Sequence, residues 1–382
     1  MYIYMGHMRY EHTKPYEDWF WEKNKIELIR DHVMSLHIGE KVLYLTFGKQ
    51  LHYDILIIAT GSTPNKFDWP GQDLAGVQGF YSIQDLALLE RNTEGIKKAV
   101  LVGGGLIGVE MAEMLLSRNI DVTMLIRESA FFSGVLPHQD AMLIGRHMAS
   151  HGVGLCFNTE LKEIQTSNDN RVSRVINNRG DTIDCQFVGL TAGVSPSIKF
   201  LENSGIATNR GVLVDQYLQS NIPDVYAIGD CAEKVSDLPG RKRIEQVWYT
   251  GRMMGEVVAQ TICGKPTRYE PGPWFNSAKF FDIEYQTYGK VRPELQADEE
   301  ELYWEHVSGK KAVHFIWNKK TKEFIGVNVY GIRLRHEMFD FWLRQRKSIH
   351  YVFEHLEEAN FDPEFFKRHE AEVRSEFEAA LT

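Results

Sequence analysis

Four glycines within "VLVGGGLIGVE", residues 100–110, make a ready site for an anion before any fold is considered. An apolar run stops at Gly103, Gly104 and Gly105; Gly108 follows, and a helix-like stretch begins. The spacing is Gly-x-Gly-x-x-Gly between a strand and a helix, the context in which the pattern binds a dinucleotide. Gly103 permits the sharp turn, Gly105 lets backbone approach a pyrophosphate, and Gly108 allows close helix–strand packing. Free N–H groups and the dipole at the helix start favour phosphate charge. A glycine-rich turn with no ligand is the bland alternative, and the flanking strand and helix weigh against it.

A dinucleotide site usually carries an acid about 20 residues further on, at the end of the second strand, for the ribose 2′-hydroxyl. In "DVTMLIRES" that position falls on Ile126, and Arg127 comes next. An apolar residue beside a guanidinium removes repulsion and supplies a partner for a 2′-phosphate, which points to NADP over NAD. Glu128 keeps the other reading open, because it could serve the ribose while Arg127 faces solvent. A second carboxylate, Asp230, ends the apolar run of "DVYAIGDCAE" directly after Gly229. At the carboxyl end of a strand it can accept hydrogen bonds from ligand hydroxyls. By itself it could equally be a helix N-cap.

The elements that must position these groups follow from the pattern. Residues 27–60 read as a β meander, "HVMSLHI", "VLYLTF" and "DILIIATG", with turns at Gly39–Lys41 and Gly48–Lys49. The last run is apolar throughout and is expected to be buried on both faces. From 98 to about 196, strands and helices alternate, with helices expected near 106–118 and 138–150, as in a doubly wound α/β unit. An amphipathic helix is expected from about 245 to 262. From 269 onward proline, glycine and aromatics become denser, and a separate α+β domain is expected. The charged tail after 350 reads as a helical surface feature.

Bulk properties narrow the partners. The 382 residues carry a formal net charge of -9, so no overall basic footprint for nucleic acid exists. The one dense basic run, "GRKRIE" at 240–245, reads as a solvated turn. No apolar stretch is long enough for a membrane span. The four cysteines, Cys156, Cys185, Cys231 and Cys263, are scattered and include no Cys-x-x-Cys, which suits a reducing, cytoplasmic setting. No cluster suggests a metal.

Taken together, "YDILIIATGSTP", "VLVGGGLIGVEMAE", "VGLTAGVSP" and "RGVLVDQYLQSNIPDVYAIGDCAE" resemble the pyridine nucleotide–disulfide oxidoreductase superfamily, in family order and with similar spacing. "WFNSAKFFDIEYQTYG" is similar to the start of the interface domain in its ferredoxin- and rubredoxin-reductase branch. The resemblance implies an α/β fold with two interleaved Rossmann-like dinucleotide-binding domains and a C-terminal α+β interface domain. Residues 1–94 and 201–268 would form the FAD-binding domain, 95–200 the NAD(P)-binding domain, and 269–382 an interface or dimerisation domain. It also implies that the FAD domain is incomplete at its N-terminus, since the family's first strand, glycine loop and helix have no counterpart in this sequence.

The implied cofactors are FAD and NADP or NAD. The implied cofactor-binding residues are Gly103, Gly105, Ile107, Gly108, Arg127, Gly193, Thr60, Gly61, Gly229, Asp230 and Trp248. Glu110 matches the family glutamate beside the nicotinamide and flavin rings, although an acid early in a helix is also favoured by the dipole. Electrons would pass from NAD(P)H through flavin to a small redox protein, a quinone, oxygen or a disulfide, in a possible homodimer. The competing expectation is a non-catalytic NAD(P)H-binding or sensing protein.

Overall fold

The computed structural model describes residues 1–167, 170–238, 240–362, 364 and 367–381. The chain forms two compact units, each built from two segments: Met1–Thr63 with Val194–Pro271, and Pro64–Gly193 with Gly272–Thr382.

In the second unit, a five-stranded parallel sheet runs in the order Val77–Gln78, Phe187–Leu190, Lys98–Val102, Asp121–Ile126, Gly154–Phe157. Its strands read as unbroken apolar runs because both faces are covered, and Val100, Leu101, Met124 and Leu125 are all buried. Helices Leu106–Leu116 and His138–Ser150 make the crossovers between consecutive strands. The winding reverses between Lys98–Val102 and Phe187–Leu190, which is where such sheets open a crevice at their carboxyl ends. Val77–Gln78 extends this sheet, so the chain enters the unit at Pro64, well before the expected boundary at 94/95. It leaves after Gly193, before the expected boundary at 200/201.

The same unit contains a five-stranded antiparallel sheet, in the order Phe275–Phe280, Ile283–Gly289, Phe324–Tyr330, Ala312–Asn318, Glu299–Glu305. Phe315, Phe339, Trp342 and Phe353 fill its core. The charged tail is not a surface feature. Helix Glu370–Leu381 turns Val373 and Phe377 inward, one helical turn apart, and Phe377 stacks on Phe353 with ring centroids 3.9 Å apart. Glu372, Glu376 and Glu378 occupy the exposed face, so composition alone hid the apolar stripe.

A buried polar junction ties helix His138–Ser150 to this sheet. Asp140 accepts from Asn328 Nδ2 at 2.7 Å and the Tyr330 hydroxyl at 2.9 Å, and lies 2.6 Å from His314 Nδ1. The other His314 nitrogen is 3.0 Å from Glu301. Burial alone would lower the His314 pKa; hydrogen bonds and charge from Asp140 and Glu301 outweigh it and hold the ring at about 9.

In the first unit, Val33–His37, Val42–Leu45 and Gln50–His52 form an antiparallel meander, but its third strand is Gln50–His52 and not the expected "DILIIATG" run. Leu56–Ile58 pairs in parallel with Val225–Ala227, and helix Trp248–Ile262 lays Met254 and Val258 into the same core. The expectation of two buried faces for "DILIIATG" fails here. In this two-stranded sheet, alternation turns Ile58 inward while Ile57 stays 43% exposed. The "GRKRIE" run is solvated only in part: Lys242 and Arg243 are exposed, but the Arg241 and Glu245 side chains are each 1% exposed and paired at 3.3 Å, with Lys234 Nζ also 3.3 Å from Glu245. An opposite charge four residues on lets one arginine of a basic run bury as a pair. Among the described residues, no helix is long and apolar enough to cross a membrane.

Candidate nucleotide site

The glycine loop sits at the carboxyl end of Lys98–Val102, and its glycines do different work. Gly103 has φ +119°, and a Cβ there would lie 2.6 Å from the Thr191 carbonyl oxygen. A Cβ on Gly108 would lie 2.7 Å from the Gly103 carbonyl oxygen. Both must be glycine for the turn to pass under the neighbouring strand and for the helix to start where it does. Gly105 is the helix N-cap, with φ -108°, and the nearest atom to its missing Cβ is 4.0 Å away on Phe132. Gly105 therefore leaves open space, and no side chain caps the helix. Uncapped first-turn N–H groups facing a cavity are what a phosphate requires.

That cavity has a volume of about 580 Å³ and is lined by Gly103, Gly104, Gly105, Arg127, Glu128, Phe132, Thr191 and Gly193, with Phe67 and Trp69 at one edge. The structure thus brings Gly103, Gly105, Arg127 and Gly193 together from three separate strand ends. Thr191, missed in the sequence, locks two of these ends: its hydroxyl donates to the Val102 carbonyl at 3.1 Å. Phe67, Trp69 and Phe132 were also missed, because they come from irregular loops that carry no periodic signal.

Ile126 is fully buried and offers the cavity nothing polar. The Arg127 side chain is 73% exposed and lies 3.0 Å from Glu128 Oε1. Ile107, Gly108 and Glu110 belong to the helix and do not line this cavity. Glu110 is half-buried, and burial raises its carboxyl above the ordinary glutamate range.

The other predicted residues lie in the first unit. Gly229 and Asp230 follow strand Val225–Ala227 in a 3₁₀ turn, and Thr60 and Gly61 follow its partner Leu56–Ile58. Ser62 Oγ is 3.3 Å from Asp230 Oδ2, and Gln246 Nε2 donates to Ser62 Oγ at 2.9 Å. Ser62 lies inside the "YDILIIATGSTP" motif, but neither it nor Gln246 was singled out in the sequence. The Thr60 hydroxyl donates to the Ser197 carbonyl at 2.7 Å, so it holds two chain segments together. Trp248 opens its helix 69% exposed, with the Arg252 guanidinium 5.7 Å from its ring centroid. Among the cysteines, burial pushes Cys185 up to about 12 and raises Cys231, which disfavours the reactive thiolate at both.

The chain belongs to the pyridine nucleotide-disulphide oxidoreductase family. The family model matches residues 8–255. Over 328 residues, the chain is 29% identical to the assimilatory nitrate reductase electron transfer subunit of Bacillus subtilis (strain 168), covering 82% of this chain and 41% of that protein. It is 30% identical to a ferredoxin–NAD(P)(+) reductase of Sphingomonas sp, covering 68% of this chain and 65% of the relative. The chain therefore spans less than two thirds of either relative's length. A solved ferredoxin reductase from Rhodopseudomonas palustris shares the fold, with a TM-score of 0.77 at 23% identity over 88% of this chain and 81% of that one.

FAD and NAD(P) are the cofactors of this family. The glycine cradle fits a nicotinamide dinucleotide: the loop leaves room at Gly105, and the helix above it is uncapped. For FAD the fit is partial. Asp230 stands at a strand end among polar groups, but among the described residues of the first unit no strand, glycine loop and long helix follow one another to cradle a pyrophosphate.

Proposed function

We propose that this chain is an NAD(P)H-dependent flavoprotein oxidoreductase that passes electrons to a small redox protein. The observation that carries the reading is the glycine cradle, an uncapped helix N-terminus over a 580 Å³ cavity at the switch point of a parallel sheet. Flavin, when bound, supplies the hydride-accepting and electron-passing chemistry. The chain's own residues bind and orient. Gly103 and Gly105 shape the phosphate site, and Arg127 meets a 2′-phosphate, so NADPH is preferred. Glu110, which matches the family glutamate by resemblance and whose carboxyl burial raises above the ordinary range, orders the nicotinamide end beyond the cavity. Asp230 accepts hydrogen bonds from flavin-side hydroxyls, steadied by Ser62 and Gln246.

The high thiol pKa of the buried cysteines supports an acceptor other than a disulfide. By resemblance, residues 269–382 form a homodimer contact, and the protein works in the cytoplasm, where free cysteines suit the redox poise.

The decisive experiment supplies FAD to the purified protein and follows visible absorbance on anaerobic addition of NADPH. Bleaching of a flavin band is expected. A protein that binds NADPH but stays colourless with added FAD overturns the reading and leaves a nucleotide-binding protein without flavin chemistry. In the reducible protein, Glu110→Ala is expected to slow flavin reduction more than it weakens nucleotide binding; an unchanged rate removes Glu110 from the site.

A further inference from the structure

Away from the nucleotide cavity, His147, His151 and Asp282 bring three ligand atoms within 4.8 Å of one another. The histidines sit one helical turn apart on helix His138–Ser150, with ring centroids 4.4 Å apart. At that spacing both imidazoles project from one face of a helix, as paired metal-binding histidines do. Asp282 lies in the tight turn between strands Phe275–Phe280 and Ile283–Gly289. Its Oδ1 is 2.6 Å from His147 Nε2 and 3.3 Å from His151 Nε2.

We infer that His147, His151 and Asp282 form a binding site for a divalent transition metal of the zinc class, clipping the nucleotide-binding sheet's helix to the turn of the antiparallel sheet. The convergence of three ligand atoms from two elements carries the argument. His151 Nδ1 is 3.0 Å from the His147 carbonyl oxygen, which can only accept, so Nδ1 holds the proton. That leaves Nε2, 3.3 Å from Asp282 Oδ1, as the atom through which the ring would bind an ion. A cation placed between these atoms would meet a nitrogen and a carboxylate oxygen together.

His147 gives the second observation. Its side chain is 2% exposed, and its Nε2, despite the close approach to Asp282, has no hydrogen bond of acceptable geometry. The surroundings are those of a metal ligand set: His151 is oriented by a backbone carbonyl, and Lys310 Nζ holds the second Asp282 oxygen at 2.8 Å. Phe281 stacks on His151 at 4.6 Å and fixes the ring plane. Two nitrogens and one oxygen suit zinc, with a fourth position left to water. Half of the Asp282 side chain is exposed, so an ion has a path in. The second cluster of this kind, His306, His369 and Glu372, is less fit, because Lys311 Nζ already lies 2.8 Å from His369 Nε2.

The test titrates the metal-stripped, intact protein with zinc chloride against a competing chromophoric chelator, and records X-ray absorption at the zinc edge. One zinc per chain is expected, with two imidazoles and no sulfur in its first shell, and a Tm that rises with zinc. His151→Ala and Asp282→Asn replace the two more exposed ligands and are expected to keep the far-ultraviolet circular dichroism of the wild type. Each should weaken zinc binding at least about tenfold, the least that loss of an outer-shell partner alone costs. Absence of stoichiometric binding in the wild type overturns the inference, and so does binding that both variants retain at full strength.

Discussion

The nucleotide cradle of the second unit and the Asp230 site of the first are built from different material. The cradle is made of backbone: two glycines fit only because a Cβ would strike carbonyl oxygens at 2.6 and 2.7 Å. The Asp230 site is made of side chains, a carboxylate near Ser62 and, through it, Gln246, drawn from segments 168 and 184 residues apart in sequence. A backbone site is specified locally and tolerates no added atom. A side-chain site tolerates substitution and changes its chemistry by degrees.

One of the two largest expected effects breaks the backbone half of that contrast. Gly103→Val puts a branched side chain at φ +119° against the Thr191 carbonyl. It should destabilise the second unit by about 2–5 kcal/mol, combining strain at a positive φ with overpacking. Urea unfolding measures it. Gly105→Ala meets no atom closer than 4.0 Å, so stability should change little while nucleotide affinity falls. If both variants unfold alike, the cradle's glycines do not divide their labour as the geometry has it.

This contrast also explains what the sequence revealed. The cradle was legible because its requirements lie within six consecutive residues, and apolar runs on either side fixed strand and helix. Arg127, at the end of the next strand, was legible for the same reason. Ser62, Gln246 and Thr191 were not, since their roles arise only when distant strand ends are placed side by side. The parallel sheet read correctly from its runs, whereas Leu56–Ile58 misled because a two-stranded sheet covers one face only. The buried Arg241–Glu245 pair and the inward Phe377 were hidden by charged neighbours that composition weighs equally.

A buried side-chain site sharpens the comparison, because there tolerance should vanish. Asp140, His314 and Glu301 form such a site, and Asp140→Ala leaves the His314 charge half-compensated, at an expected loss of about 3–5 kcal/mol at neutral pH, up to the effect of Gly103→Val. The same site gives a pH signature. The His314 pKa in the folded protein, about 9, lies above its ordinary value of 6.5. The group then contributes stability that is fully present below pH 6.5 and is lost as pH rises through 9. Urea midpoints between pH 6 and 9.5 should fall in the wild type and fall less steeply in His314→Gln. Parallel curves would show that the junction does not hold a proton.

Asp230→Asn tests the tolerant half. It keeps size and one acceptor oxygen while removing charge, so the fold should be unaffected. The lost charge-assisted bonds are worth about 1.5–3 kcal/mol at most, and half-burial favours the lower end, roughly tenfold in FAD affinity. Flavin fluorescence quenching reads this directly, without turnover. An unchanged affinity would assign Asp230 to holding the 229–231 turn and nothing more.

An effect of about the same size is expected at Arg127, where the two halves of the comparison meet: a side chain added to a backbone cradle. Ile126 is buried and cannot accept from a ribose 2′-hydroxyl, while Arg127 reaches the same cavity with a guanidinium. Its 73% exposure and its pairing with Glu128 at 3.0 Å both reduce what it can give a phosphate. Charge-assisted bonds of about 1.5 kcal/mol would make NADPH bind roughly tenfold more tightly than NADH. Arg127→Ala should remove most of that preference by weakening NADPH and leaving NADH nearly untouched. Glu128→Gln should move in the opposite direction, because it frees the guanidinium and removes a charge that repels the phosphate. Isothermal titration of both nucleotides against the three proteins separates these outcomes. Equal losses for NADPH and NADH in Arg127→Ala would mean that the arginine supports the cavity wall and does not read the 2′-phosphate.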